Sequence, residues 1–100
     1  MEVIDLRSIK PLDSETILSS VRKTGRLVVV DVAPAICGVA AEVMAIVAEH
    51  AFTALRAPII RLAAPDVPVP YSIELEQLMY PTTETITAAV RRLCALPSRA

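Results

Sequence analysis

One hundred residues make one domain or a piece of one, able to bury about 65% of the surface that the unfolded chain exposes. With 54% hydrophobic and only 3% aromatic residues, the chain carries more apolar surface than a domain this small hides by itself, so part of that surface is expected to meet another chain. A net charge of −1, with basic residues gathered only around Arg22-Lys23, Arg26 and Arg91-Arg92, excludes the electrostatic footprint of a nucleic-acid binder. The longest apolar run is broken by Glu42, Glu49 and His50 and cannot span a membrane.

The chain opens on Val3-Ile4-Asp5-Leu6, a short strand-like run with acids close to the start and no signal-peptide pattern, which points to a soluble, intracellular protein, cytoplasmic in location. Pro11 marks a connector. Asp13 then offers a side-chain oxygen to cap a helix over Ser14 to Thr24, with Leu12 and Ile17 placed to pack across the cap. Ile17, Leu18 and Val21 form its apolar stripe, Arg22 and Lys23 suit the negative end of the dipole, and Gly25 can take the left-handed conformation that stops it.

Leu27-Val28-Val29-Val30 is an apolar run without alternation, entered from a glycine and left through Asp31. It reads as an interior strand, covered on both faces, of a largely parallel sheet. Val32 to Ile36 would be the loop at the carboxyl end of that strand, where open α/β folds place ligands. Gly38 alone supports an anion site there, and close helix packing explains a lone glycine better. Asp31 resembles an acidic site residue, but the second acid and the lysine of a phospho-receiver are not at matching positions.

Cys37 to Leu55 reads as the second helix. Glu42, Glu49 and Thr53 share one narrow stripe, and apolar residues cover nearly all the rest. One side can face the sheet. The other, with Met44, Ala48 and Phe52 among small residues, reads as a subunit interface, set against simple alanine helix propensity on a solvent face. His50, the one histidine, lies on this helix with Glu49 turned about 100° away, and suits a packed or surface role rather than that of a general base. The serines have no histidine partner and no nucleophile-elbow context. Cys37 and Cys94 carry no metal or redox spacing and read as two buried thiols rather than a disulfide.

Pro58 to Ala63 is a second short strand. Three prolines between Pro65 and Pro70 then enforce a rigid extended loop, where Asp66 and Tyr71 either contact a neighbour or simply ride on a stiff segment. Ile73 to Met79 can form a short helix. Pro81 opens the last helix, with Ile86, Ala89, Val90 and Leu93 as its buried stripe, Arg91 and Arg92 outward, and a tail at 97–100. Helix, strand and helix in succession make this an α/β chain of three layers, α/β/α, around a short and mainly parallel sheet.

Taken together, EVIDLRSIKPLD, SVRKTGRLVVVD, APIIRLAAPDVPVPYS and YPTTETITAAVRRL resemble the C-terminal domain of the beta subunit of the decarboxylating component in 2-oxo acid dehydrogenase complexes, a domain of the transketolase C-terminal fold. The most specific piece is the run from Ala57-Pro58 through Pro70-Tyr71. The resemblance implies that residues 1–96 form a partial domain of that kind, lacking its first strands, one of which would lie between Val3-Leu6 and Leu27-Val30. It also implies an enzyme that uses thiamine diphosphate and magnesium on pyruvate, branched-chain 2-oxo acids or acetoin, with catalysis and cofactor held elsewhere. This chain would then be a non-catalytic segment that contacts an alpha subunit, a second beta subunit and the acyltransferase core. The interface candidates are Met44, Ala48, Phe52, Asp66 and Tyr71. Arg56 stands where the family commonly has an acid and is the candidate for core docking; Val32 replaces a common Glu and makes its loop less polar. The competing expectation is a stand-alone small-molecule or regulatory module using the loop at 32–38.

Overall fold

The computed structural model of the chain describes residues 1–97. Helix α1 (Ser14–Thr24) forms for the local reasons its sequence contains. Asp13 accepts the Thr16 amide at 3.2 Å and the Thr16 hydroxyl at 2.6 Å, which satisfies free groups of the first turn. At the other end Gly25 turns left-handed at φ 76°, and its amide donates to the Val21 carbonyl at 2.7 Å. Ile17, Leu18 and Val21 are buried, as the stripe requires.

Strand β1 (Val28–Pro34) pairs in parallel with β2 (Ile60–Ala64), in the register Val28↔Ile60, Val29↔Arg61 and Val30↔Leu62, with an irregularity before Pro34↔Ala64. Helix α2 (Val39–His50) makes the crossover between them. It starts after Gly38 and ends at His50, and a 3-10 turn (Phe52–Ala54) follows; the periodicity had suggested one helix from Cys37 to Leu55. The proline-rich segment from 65 carries no regular structure until the short α3 (Ile73–Gln77). Helix α4 (Thr83–Ala95) then opens on a reciprocal cap, the Thr85 amide donating to the Thr82 hydroxyl at 3.2 Å and the Thr82 amide to the Thr85 hydroxyl at 2.8 Å.

Alternation along the strands divides the core between two faces. Leu27, Val29 and Ile59 pack with Ile17, Leu18, Val21, Val43 and Val47 of α1 and α2, while Val28, Ile60 and Leu62 pack with Ala89 and Leu93 of α4. Three layers result, α1 and α2 over the sheet and α4 beneath it. Arg26 ties the bottom layer in place, its Nε donating to the Leu93 carbonyl and its Nη2 to the Leu96 carbonyl, both at 3.2 Å, where the end of α4 leaves carbonyls free.

Four expectations need correction. β1 is not an interior strand, since β2 is its one neighbour among the described residues and Val30 and Val32 lie exposed. Val3 to Leu6 is irregular, with Val3 and Ile4 exposed, because among the described residues no strand lies beside it to pair with. Residues 32–34 belong to β1 rather than to a loop, which leaves only 35–38 as the connection into α2. Cys37 and Cys94 are free but exposed, one in the turn before α2 at φ 56° and the other on the outer side of α4. Of the expected tail, residues 98–100 lie outside the described residues.

Candidate assembly surface

The side of α2 that does not meet the sheet borders an open groove of about 490 Å³. Met44 and Ala48 of α2, Phe52 of the following turn, and Arg56, Ala57 and Pro58 of the connector to β2 line it. Met44, Ala48 and Phe52 recur every four residues, so helical geometry brings them to one side although the helix itself stops at His50. Phe52 keeps 55% of its surface exposed, whereas Val47 on the opposite side of α2 keeps none. The groove is apolar except for Arg56, which has no counterpart of opposite charge within it.

Arg56 is held by the end of α1. Its amide donates to the Gly25 carbonyl at 2.8 Å, and its Cδ and Cγ lie 2.9 and 3.0 Å from where a Cβ on Gly25 would stand. Gly25 therefore does two things: it ends α1, and it leaves space for the aliphatic stem of Arg56. The periodic pattern exposed the first role only. The contributions of Ala57 and Pro58 to the groove also escaped it, because connector residues have no repeat to betray which way they face.

Asp66 and Tyr71 are exposed in the proline-rich segment and do not line the groove. That segment follows the carboxyl end of β2, while Arg56 precedes its amino end, so the interface candidates occupy two separate places. His50 lies exposed on α2, its Nε2 3.8 Å from Glu49 Oε2, a contact that two long surface side chains reach despite their angular offset. Its carbonyl accepts from Arg22 Nη2 at 3.3 Å.

The carboxyl end of β1 does not supply a phosphate cradle. A Cβ on Gly38 would lie 2.6 Å from the Pro34 carbonyl oxygen, so this glycine permits close approach of helix and strand. Asp31 Oδ1 accepts the Ala33 amide at 3.1 Å, and Oδ2 is buried without a hydrogen-bond partner among the described residues. No group of three His, Cys, Asp or Glu among the described residues could hold a metal ion. The donor set thus does not fit magnesium and a diphosphate, and no chemical step is assigned to it.

Comparison with known proteins places this geometry. Residues 1–86 match the family described as transketolase, C-terminal domain. The chain is 52% identical over 93 residues to the pyruvate dehydrogenase E1 component subunit beta-1, mitochondrial, of Arabidopsis thaliana, covering 93% of this chain and 26% of that protein. It is 47% identical over 93 residues to the pyruvate dehydrogenase E1 component subunit beta of Rickettsia bellii, covering 93% and 29%. Against the acetoin:2,6-dichlorophenolindophenol oxidoreductase subunit beta of Cupriavidus necator the identity is 48% over 91 residues, covering 91% and 27%. The chain spans less than a third of the length of these relatives. With the family matched along most of its length and its helices layered on both faces of a parallel strand pair, the chain belongs to the transketolase C-terminal domain family.

Proposed function

We propose that this chain is a non-catalytic assembly segment of a thiamine diphosphate-dependent 2-oxo acid dehydrogenase, of the kind whose whole complex oxidatively decarboxylates pyruvate or a branched-chain 2-oxo acid. The observation that carries the reading is the groove beside α2, an apolar surface on a chain already rich in apolar residues. Its partners in this reading are an alpha subunit, a second beta subunit and the acyltransferase core, with Arg56 a contact for the core. Thiamine diphosphate and magnesium belong to the complete enzyme and are held outside this chain. No helix among the described residues is long and apolar enough to cross a membrane. Cytoplasmic placement is part of the same proposal, supported by two free, exposed thiols that suit a reducing compartment.

Co-expression of the tagged chain with a pyruvate dehydrogenase alpha subunit tests it. Capture of the alpha subunit by the wild-type chain, and its loss with Phe52→Glu, is the expected result. Failure of the wild type to capture it, or capture unchanged by Phe52→Glu, would count against the reading. Thermal shift with thiamine diphosphate, magnesium and 2-oxo acids should leave the midpoint of the isolated chain unmoved; a rise would favour a ligand-binding module instead.

A further inference from the structure

Residues 65–78 join β2 to α4 as a strap with an anchor at each end. Ala64 at the end of β2 and Met79 beyond α3 are buried, and no side chain from 65 to 78 is. Val67, Val69, Tyr71, Ile73, Leu75 and Leu78 are each more than half exposed, Tyr71 completely. The hydrogen bonds of the strap are all local among the described residues. The Val67 amide donates to the Pro65 carbonyl at 2.9 Å, the Glu76 amide to the Ser72 carbonyl at 2.9 Å, the Leu78 amide to the Leu75 carbonyl at 3.2 Å, and the Tyr80 hydroxyl to Glu76 Oε1 at 3.2 Å. α3 has no buried residue and no side-chain bond at its Ser72 cap. Opening the strap therefore breaks no hydrogen bond to the rest of the chain and uncovers no buried side chain, which puts its opening free energy at the low end of the range within a fold.

A chain enters a protease cleft in extended form, so the stretch that opens without disturbing the core takes the first cut. The sequence narrows the place. Val67-Pro68, Val69-Pro70 and Tyr80-Pro81 are poor bonds to cut, because a proline after the scissile bond has no amide N–H and a fixed φ. Tyr71-Ser72, Leu75-Glu76 and Leu78-Met79 stay open, each behind an exposed aromatic or leucine side chain that fits an apolar specificity pocket. No lysine or arginine lies from residue 62 to residue 90, so a protease that selects cations has no bond to cut here. The strap is also the covalent link between β2 and α4. α4 is seated by its buried Ala89 and Leu93 and by the two bonds from Arg26, and the tether presents it to the sheet at an effective concentration of about millimolar. Once the tether is cut, that small contact stands alone against dilution.

We propose that the strap is a proteolytic modification site of the free chain, cut after Tyr71, Leu75 or Leu78 by a protease with an apolar specificity pocket, and that the cut releases α4. Water adds across one peptide bond, leaving a carboxylate on the β2 side and an ammonium on the α4 side. Loss of α4 bares Val28, Ile60 and Leu62 on one face of the sheet, so a single hydrolysis commits the chain to breakdown. The inference concerns the unassembled chain and does not depend on what covers the groove beside α2. The test is brief chymotrypsin digestion of the 100-residue chain, read by intact mass and size-exclusion chromatography, on the wild type and on the triple variant Tyr71→Gln, Leu75→Gln, Leu78→Gln. In the wild type the first cut should fall after 71, 75 or 78, and the two fragments should elute apart. The triple variant should be cut about tenfold or more slowly, since it offers the apolar pocket nothing along the strap. Its thermal midpoint and its trypsin pattern should match those of the wild type, which shows an intact fold. A first cut elsewhere, such as after Phe52, or a variant cut as fast as the wild type, would overturn the site. Fragments that elute together and resist further digestion would overturn the release of α4.

Discussion

Truncation on the two sides of α2 should have opposite consequences. Val47 is fully buried among α1 and sheet residues, so Val47→Ala removes two methyl groups at about 0.8 kcal/mol each and leaves a partly unfilled cavity. The expected loss is about 2–3 kcal/mol, or roughly 10–20 °C in Tm for a chain of this size. Phe52 keeps 55% of its surface exposed and leaves an open groove rather than a cavity, so Phe52→Ala should cost about 1 kcal/mol or less. Urea unfolding in the dilute, unassociated chain measures both, and repeating it at higher concentration separates folding from association. There Phe52→Ala should abolish the rise of midpoint with concentration, whereas Val47→Ala should keep it. If Phe52→Ala costs the dilute chain as much as Val47→Ala, Phe52 is a core residue and the groove is not an open face.

Three further perturbations probe the supports of the fold and of the groove. Gly25→Ala places a side chain at φ 76° and against the stem of Arg56; a loss of about 1–2 kcal/mol in urea unfolding is expected, and no loss would show that the left-handed turn does not hold the end of α1. The hydrogen bonds from Thr16 hold the Asp13 carboxyl below its usual range, so its stabilisation is present above pH 3.8 and fades as pH falls through the lowered folded value. Asp13→Ala should therefore be less stable than the wild type at pH 7, with the gap narrowing below pH 3.8, and a gap independent of pH would remove the cap from the account. Arg26→Ala removes the two side-chain bonds to the Leu93 and Leu96 carbonyls, the first of which still accepts the Leu96 amide at 3.3 Å; about 1–2 kcal/mol should be lost, with amide exchange faster in the last turn of α4 than in α1, and uniform exchange would contradict the clamp.

What the sequence made legible was local. Asp13 and Gly25 bracket α1 through bonds that span three or four residues, and Thr82 opens α4 in the same way. What it concealed was long-range. An unbroken run of valines announces burial but not what does the burying, so Val30 reads as interior although 44% of its surface stays exposed. Val3 to Leu6 has the composition of a strand and, among the described residues, no neighbour to pair with, and strand pairing cannot be read from one segment. Arg26 reaches carbonyls 67 and 70 positions away, a link no spacing rule reveals. The surface candidates divided likewise. Helical period placed Met44, Ala48 and Phe52 on one side, but only the crossover from β1 to β2 set Arg56 beside them and carried Asp66 and Tyr71 to the far end.

The claim on which this account rests is that the groove beside α2 is covered by another polypeptide in the working assembly. A photo-crosslinking residue in place of Ala48, in cells that make the chain together with an alpha subunit, reads this out directly from the mass of the intact product, which separates a link to a second copy from one within a single copy, and from the joined peptides identified by mass spectrometry. Cross-links from position 48 to a second polypeptide are the predicted result. Cross-links confined to this molecule, or none at all, would contradict it.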